Sequence, residues 1–174
     1  AAAGALTRGH RYQEAARLYL TKLNNKPLAA KCLEDGGLLT DALLLYGELA
    51  QHEKCGDLLR QLGREREAIA AFNEAIKGST DRLHDARILF EKLQQHGLAL
   101  SVLASGYPQS TQACQCLERH FDYLSRLAAT PESLALARSL TDPARQLTDR
   151  VQMTETLRSI YQAQADPEVR HRIS

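Results

Sequence analysis

Apolar positions along this chain recur at intervals of three and four residues, the period of an amphipathic helix, and no strand-type alternation is seen. The spacing of Ala15, Ala16, Tyr19 and Leu23 predicts a helix over 11–23, closed by a turn at Asn24-Asn25. Pro27 suits the first turn of a short helix ending at Gly36-Gly37. Helices follow over 39–50, with Thr40 and Asp41 at its start, over 52–62, capped by Gly63, and over 65–77, ending at Gly78. Thr80 or Asp81 caps a further helix to Gln95, where His96-Gly97 is expected to break it. Leu98 to Ala104 reads as a short helix and Gly106-Tyr107-Pro108 as a turn. A long helix over 110–127 turns Ala113, Leu117, Phe121 and Leu124 inward, and Thr130-Pro131-Glu132 opens another to Leu140. Asp142-Pro143 repeats that signature before one or two helices carrying Leu147, Val151, Leu157, Ile160 and Tyr161. The fold class expected is all-α.

One phrase recurs within these helices: an acidic residue, Ala, three residues, then an aromatic. It reads Glu14-Ala15 to Tyr19, Asp41-Ala42 to Tyr46, Glu67-Ala68 to Phe72 and Asp85-Ala86 to Phe90. The first three copies stand 27 and then 26 residues apart, a period of stacked helix pairs. A helix pair cannot bury its apolar face alone, so the copies must stack into a solenoid. The expected organisation is a repeat region over 1–97 and a helical extension over 98–174 packed on the same solenoid. The chain opens without Met and stops just after Asp166-Pro167-Glu168-Val169-Arg170, which looks like a helix start, so it reads as a piece of a longer protein.

The phrase resembles the second helix of the tetratricopeptide repeat. In that family a Gly stands five residues before a small Ala, and an aromatic four residues after it. Gly37, Ala42 and Tyr46 fit, as do Gly63, Ala68 and Phe72, while Ala15 and Tyr19 match with His10 in the Gly place. Ala30 and Gly56 stand where the first helix of each repeat carries a small residue, followed by Leu33 and Leu59. The resemblance covers residues 9–93 and implies a right-handed α-α superhelix, in which small residues let helices approach and the aromatic fills the seam. Two features depart from it. Lys26 and His52 occupy the usual Trp position, and the period falls short of the family's length of about 34. The compressed pairs look more like the solenoids of coat proteins, intraflagellar transport subunits and bacterial multi-domain proteins, where a solenoid often sits beside a β-propeller.

The resemblance also implies that the first helix of each pair lines a groove. Lys31, Glu34, Asp57 and Arg60 would then form a mixed-charge strip suited to a polar peptide or helix, against the plainer reading of a solvated face. The family's clamp for C-terminal carboxylates uses Lys and Asn, whereas Pro27, Lys31, Glu53 and Asp57 stand at those places, which counts against that ligand class.

Charge and composition narrow the partners. With 22 basic and 21 acidic residues, balanced in both halves, no basic stripe invites nucleic acid. No apolar run approaches the roughly 20 residues of a bilayer span, so membrane insertion is not expected. Ala1 to Leu6 is too short for a signal peptide and lacks a charged leader. The 4 cysteines form no CxxC pair, which suggests a reduced, cytoplasmic setting.

Chemistry-bearing clusters are few. Cys116 and His120 share a helix face, but Cys114 lies about 200° round from Cys116, and a structural zinc needs four ligands. The histidines make no HExxH, and Gly36-Gly37 lacks the Lys-Ser/Thr of a phosphate loop. No catalytic residue, cofactor or metal is expected. The function expected is a protein–protein interaction scaffold that docks a partner protein or a neighbouring domain. A second reading is a regulatory or substrate-presenting segment of a larger enzyme, and a third is self-association through the solenoid ends.

Overall fold

The computed structural model describes residues 2–107 and 110–140, with four further positions, 158, 167, 168 and 171. Every regular element among the described residues is helical, and none is a strand. The chain divides into two compact units, Ala1–Gly78 and Ser79–Ser174. The first holds α1 (Ala2–Thr21), α2 (Lys26–Asp35), α3 (Leu39–Glu48), α4 (His52–Gln61) and α5 (Glu65–Ile76). The second holds α6 (Arg82–Arg87, continued by a π-helical Ile88–Lys92), α7 (His96–Ala104), α8 (Ala113–Arg126) and α9 (Thr130–Leu140). Within each unit, consecutive helices pack against one another. Pro108 and the helices expected after Asp142-Pro143, with Leu147, Val151, Leu157, Ile160 and Tyr161, lie outside the described residues.

A thirteen-residue register builds the first unit. α2, α3, α4 and α5 begin at Lys26, Leu39, His52 and Glu65, each thirteen residues after the last. Three residues into each stands a buried small side chain, Ala29, Ala42, Cys55 or Ala68, and Ala16 takes that place in α1. Four residues further on, one turn along the same face, come Leu20, then the buried Leu33, Tyr46, Leu59 and Phe72. The small residue lets neighbouring helices close up and the large one fills the space beside it. The register passes through Ala16 and Leu20, one residue beyond the Ala15 and Tyr19 of the sequence alignment. Ala15 and Tyr19 are half-buried, with Tyr19 at the margin of the core.

The joints keep the same register. The backbone turns left-handed at Asn24, Gly37, Ala50 and Gly63. At three of these the next amide reaches back five residues to the carbonyl of the large core residue: Leu38 to Leu33 (2.9 Å), Gln51 to Tyr46 (3.0 Å) and Arg64 to Leu59 (2.9 Å). That closure satisfies the carbonyls a helix end leaves open. Each core side chain is thus tied to the turn that ends its own helix.

Close approach is visible at two glycines. A Cβ on Gly56 would lie 2.6 Å from a Phe72 ring carbon, and one on Gly36 2.5 Å from Tyr12 Cβ. Ala30, beside Ala29, is fully buried, as the small-residue reading of that position requires.

Beyond Gly78 the register restarts with an offset. Ala86 and Phe90, then Ala99 and Leu103, repeat the small-to-large pairing thirteen residues apart, all buried. Ala86 stands eighteen residues after Ala68 because α5 runs longer and Asp81 opens α6 after a short connector. The Asp81 carboxylate accepts from the amides of Leu83 (3.1 Å) and His84 (3.2 Å), as a helix cap should. The break expected at His96-Gly97 is corrected: both residues open α7. The chain turns instead at Gln94 (φ 55°), where the Gln95 amide reaches the Leu89 carbonyl at 2.8 Å. Just before this, Leu93 bonds Ile88 five residues back, the hydrogen bond of a π turn.

The face expected of α8 is inward-facing: Ala113, Leu117, Phe121 and Leu124 are all buried. The first three pack with Ala137 and Leu140 of α9 into one cluster. The helix begins at Ala113 rather than Ser110.

Candidate functional site

α2 and α4 are the helices on which the charged strip was expected. Both contribute to one buried cluster, Ala29, Ala30 and Leu33 with Cys55 and Leu58, and Lys54 Nζ sits 3.6 Å from Glu34 Oε1. Lys31 and Asp57 occupy equivalent places, two residues after Ala29 and Cys55, Lys31 exposed and Asp57 half-buried. Glu34 and Arg60 occupy the next equivalent pair and are engaged within the fold. Glu34 accepts a 2.6 Å hydrogen bond from the Tyr46 hydroxyl. Arg60 grips Glu65 through two nitrogens, at 3.2 and 3.0 Å, and its guanidinium stacks 5.0 Å from the Phe72 ring centre.

The strip therefore divides by role. Glu34 closes a polar contact over the seam, and burial together with that carboxylate pushes the Tyr46 hydroxyl far above its ordinary range. The Arg60 side chain holds Glu65 in its charged state and covers the edge of the core. Lys31, Asp35 and Lys54 are the exposed charges here, and Asp57 is half-buried. Neither the Tyr46–Glu34 bond nor the Lys54 bridge has a signature in the sequence, because each joins different helices. The seam residues Ala42, Tyr46, Gly56, Ala68 and Phe72 are all buried.

The second unit gathers its aromatics around Phe90 of the π turn. Phe90 stacks on Tyr123 with ring centres 3.8 Å apart and planes at 14°, and His96 lies against it at 4.6 Å. Arg119 and Arg126 flank the Tyr123 ring at 5.8 and 5.5 Å. Both line a surface groove of about 460 Å³ with Leu83, Gln115, Glu118 and Asp122. Its charges pair internally: Asp122 lies 3.1 Å from Arg126 and 3.7 Å from Arg119, and Glu91 3.4 Å from Arg126.

His120 and the cysteines are occupied by packing. His120 Nδ1 lies 2.7 Å from the Tyr107 hydroxyl, and burial pushes its pKa down to about 4, so the imidazole is neutral. Cys116 is fully buried, and a Cβ on Gly106 would fall 2.5 Å from its Sγ. Burial pushes the thiols of Cys32, Cys55 and Cys116 up, away from the reactive thiolate. Among the described residues no His, Cys, Asp and Glu side chains group as metal ligands, and no helix is long and apolar enough to cross a membrane.

These features define an all-α protein whose consecutive helices pack against one another within each unit, an arrangement compatible with a helical-repeat fold. Comparison with family models, curated proteins and solved structures found no match.

Proposed function

We propose that this chain is a protein-interaction scaffold of tetratricopeptide-like type, with the outward face of α2 and α4 docking a polar segment of another protein. The observation that carries the reading is the 3.6 Å bridge from Lys54 to Glu34, which ties α4 to α2, whose register gives Lys31 and Asp57 equivalent positions. A face held this way loses little side-chain or backbone freedom when a partner arrives, and preorganisation of that kind favours binding. Its mixed charge suits a segment that alternates acidic and basic residues, since charge pattern selects among partners.

The test reverses the exposed Lys31 and spares the charges engaged within the fold. Lys31→Glu should reduce capture of partner proteins from cell extract by on the order of tenfold, with the thermal midpoint nearly unchanged. Arg60 is left in place because it grips Glu65 and covers Phe72. Capture equal to that of the parent and of a Lys77→Glu control would refute this face as the binding surface.

A further inference from the structure

The groove of the second unit brings two guanidinium groups together. Arg119 and Arg126 stand two turns apart on α8 and converge on one atom: Arg119 Nη1 lies 3.7 Å and Arg126 Nη2 3.1 Å from Asp122 Oδ2. The two nitrogens are therefore no farther apart than those contacts laid end to end. Both guanidiniums rest against the ring of Tyr123, 5.8 and 5.5 Å from its centre, and Phe90 backs that ring at 3.8 Å. A guanidinium stacked on a fixed aromatic has less freedom to lose when a ligand arrives. Each carries five N–H donors, and the acids in reach use few of them. The Arg119 contact with Asp122 is longer than a hydrogen bond, and Arg126 meets only Asp122 and, at 3.4 Å, Glu91 among the described acids. Asp122 is itself 44% exposed, and surface pairs of this kind add little stability.

We propose that Arg119 and Arg126 form a binding site for a dianionic phosphate group, whose place Asp122 takes in the free protein. Asp122 touches both arginines through a single oxygen. A phosphate group offers three acceptor oxygens and nearly two negative charges, so it can accept from both guanidinium forks at once, the geometry in which arginine binds phosphate best. The incoming dianion thus gains more bonds than the internal carboxylate gives up, and Asp122, already exposed, turns to water. The groove, at about 460 Å³, holds the phosphate with room for part of the molecule that carries it. Glu118 lines the same groove and opposes a negative ligand, which keeps the affinity modest and selects for the doubly charged form.

The experiment titrates the protein, at constant ionic strength, with inorganic phosphate and with phosphoserine blocked at both ends. Nuclear magnetic resonance follows the side-chain Nε–Hε signals of Arg119 and Arg126. Both signals should shift and saturate. Asp122→Asn, which removes the internal competitor without changing its shape, should tighten binding on the order of tenfold, and Arg119→Gln should weaken it by a similar factor. Lys31→Glu, in the first unit, should change neither. Tighter binding of the blocked phosphoserine would assign the site to a phosphorylated side chain of a partner, and tighter binding of inorganic phosphate to the free ion. Signals that neither compound moves, an Asp122→Asn variant that binds no tighter than the parent, or an Arg119→Gln variant that binds as well as the parent would each overturn the proposal.

Discussion

Ala50 should gain stability by losing its methyl group. It ends α3 at φ 52°, in the place where Gly37 (φ 76°) and Gly63 (φ 74°) end α2 and α4. An L-residue held left-handed costs roughly 1–2 kcal/mol, and glycine gives back roughly 0.4–1 kcal/mol through the greater freedom of its unfolded chain. The net gain expected for Ala50→Gly is therefore about 0.5–1 kcal/mol. Gly63→Ala should lose a similar amount, and through backbone strain alone, because an added Cβ there meets nothing within 4 Å. Urea unfolding followed by far-ultraviolet circular dichroism reads both. General helix propensity, which ranks alanine above glycine everywhere, predicts the opposite sign for both variants. A less stable Ala50→Gly beside a more stable Gly63→Ala would refute the claim that the joints share one left-handed geometry.

Three further outcomes are expected. Gly56→Ala drives a methyl into the buried Phe72 ring and should cost about 1–3 kcal/mol in chemical unfolding, while Gly97→Ala, with open space around it, should not destabilise; equal losses would contradict the close approach of α4 and α5. Tyr123→Phe removes a buried hydroxyl that has no hydrogen-bond partner and should be neutral or stabilising by up to about 1 kcal/mol, so a clear loss of midpoint would count against that environment. The folded-state pKa of His120 lies at about 4, below its unfolded value; its contribution is present above pH about 6.5 and is lost as pH falls towards about 4, on the order of 2 kcal/mol for a ring partly open to solvent. A His120→Gln variant should show a flatter pH dependence of unfolding across that window, and an unchanged slope would contradict the assignment.

Helix positions were legible from apolar spacing and caps because those signals are local. Glycines at 37, 63 and 78 marked three of the turns, and Asp81 marked the start of α6. The length of the repeat was only half legible. The acidic-Ala-aromatic phrase identifies α3 and α5, but α2 and α4 carry the same packing as Ala29 with Leu33 and Cys55 with Leu59, lacking both the acid and the aromatic. A period of 26–27 residues was therefore visible where the physical unit is thirteen. The sequence ended helices near Ala50 and Gln95 but did not mark Ala50 and Gln94 as the left-handed turning residues, because neither residue type favours that backbone. For the candidate site, the sequence placed four charges on one strip, yet Glu34 and Arg60 serve the fold. Tyr46 finds Glu34, and Arg60 finds Phe72, across helix boundaries that no local pattern encodes.

The central claim is that equivalent helices repeat in a strict register, so that whole repeats are interchangeable parts. Tandem duplication of residues 38–63 inserts one complete helix pair between Gly63 and Arg64, and its new junction, Gly63 followed by Leu38, reproduces the existing Gly37–Leu38 step. In a solenoid each added repeat contributes its own interface. Thermal unfolding by circular dichroism should then show undiminished helicity per residue and a cooperative midpoint at or above that of the parent. A control duplicating residues 38–60 omits the Gly63 turn and should lower both. A complete duplication that destabilises the chain as much as this control would contradict the register.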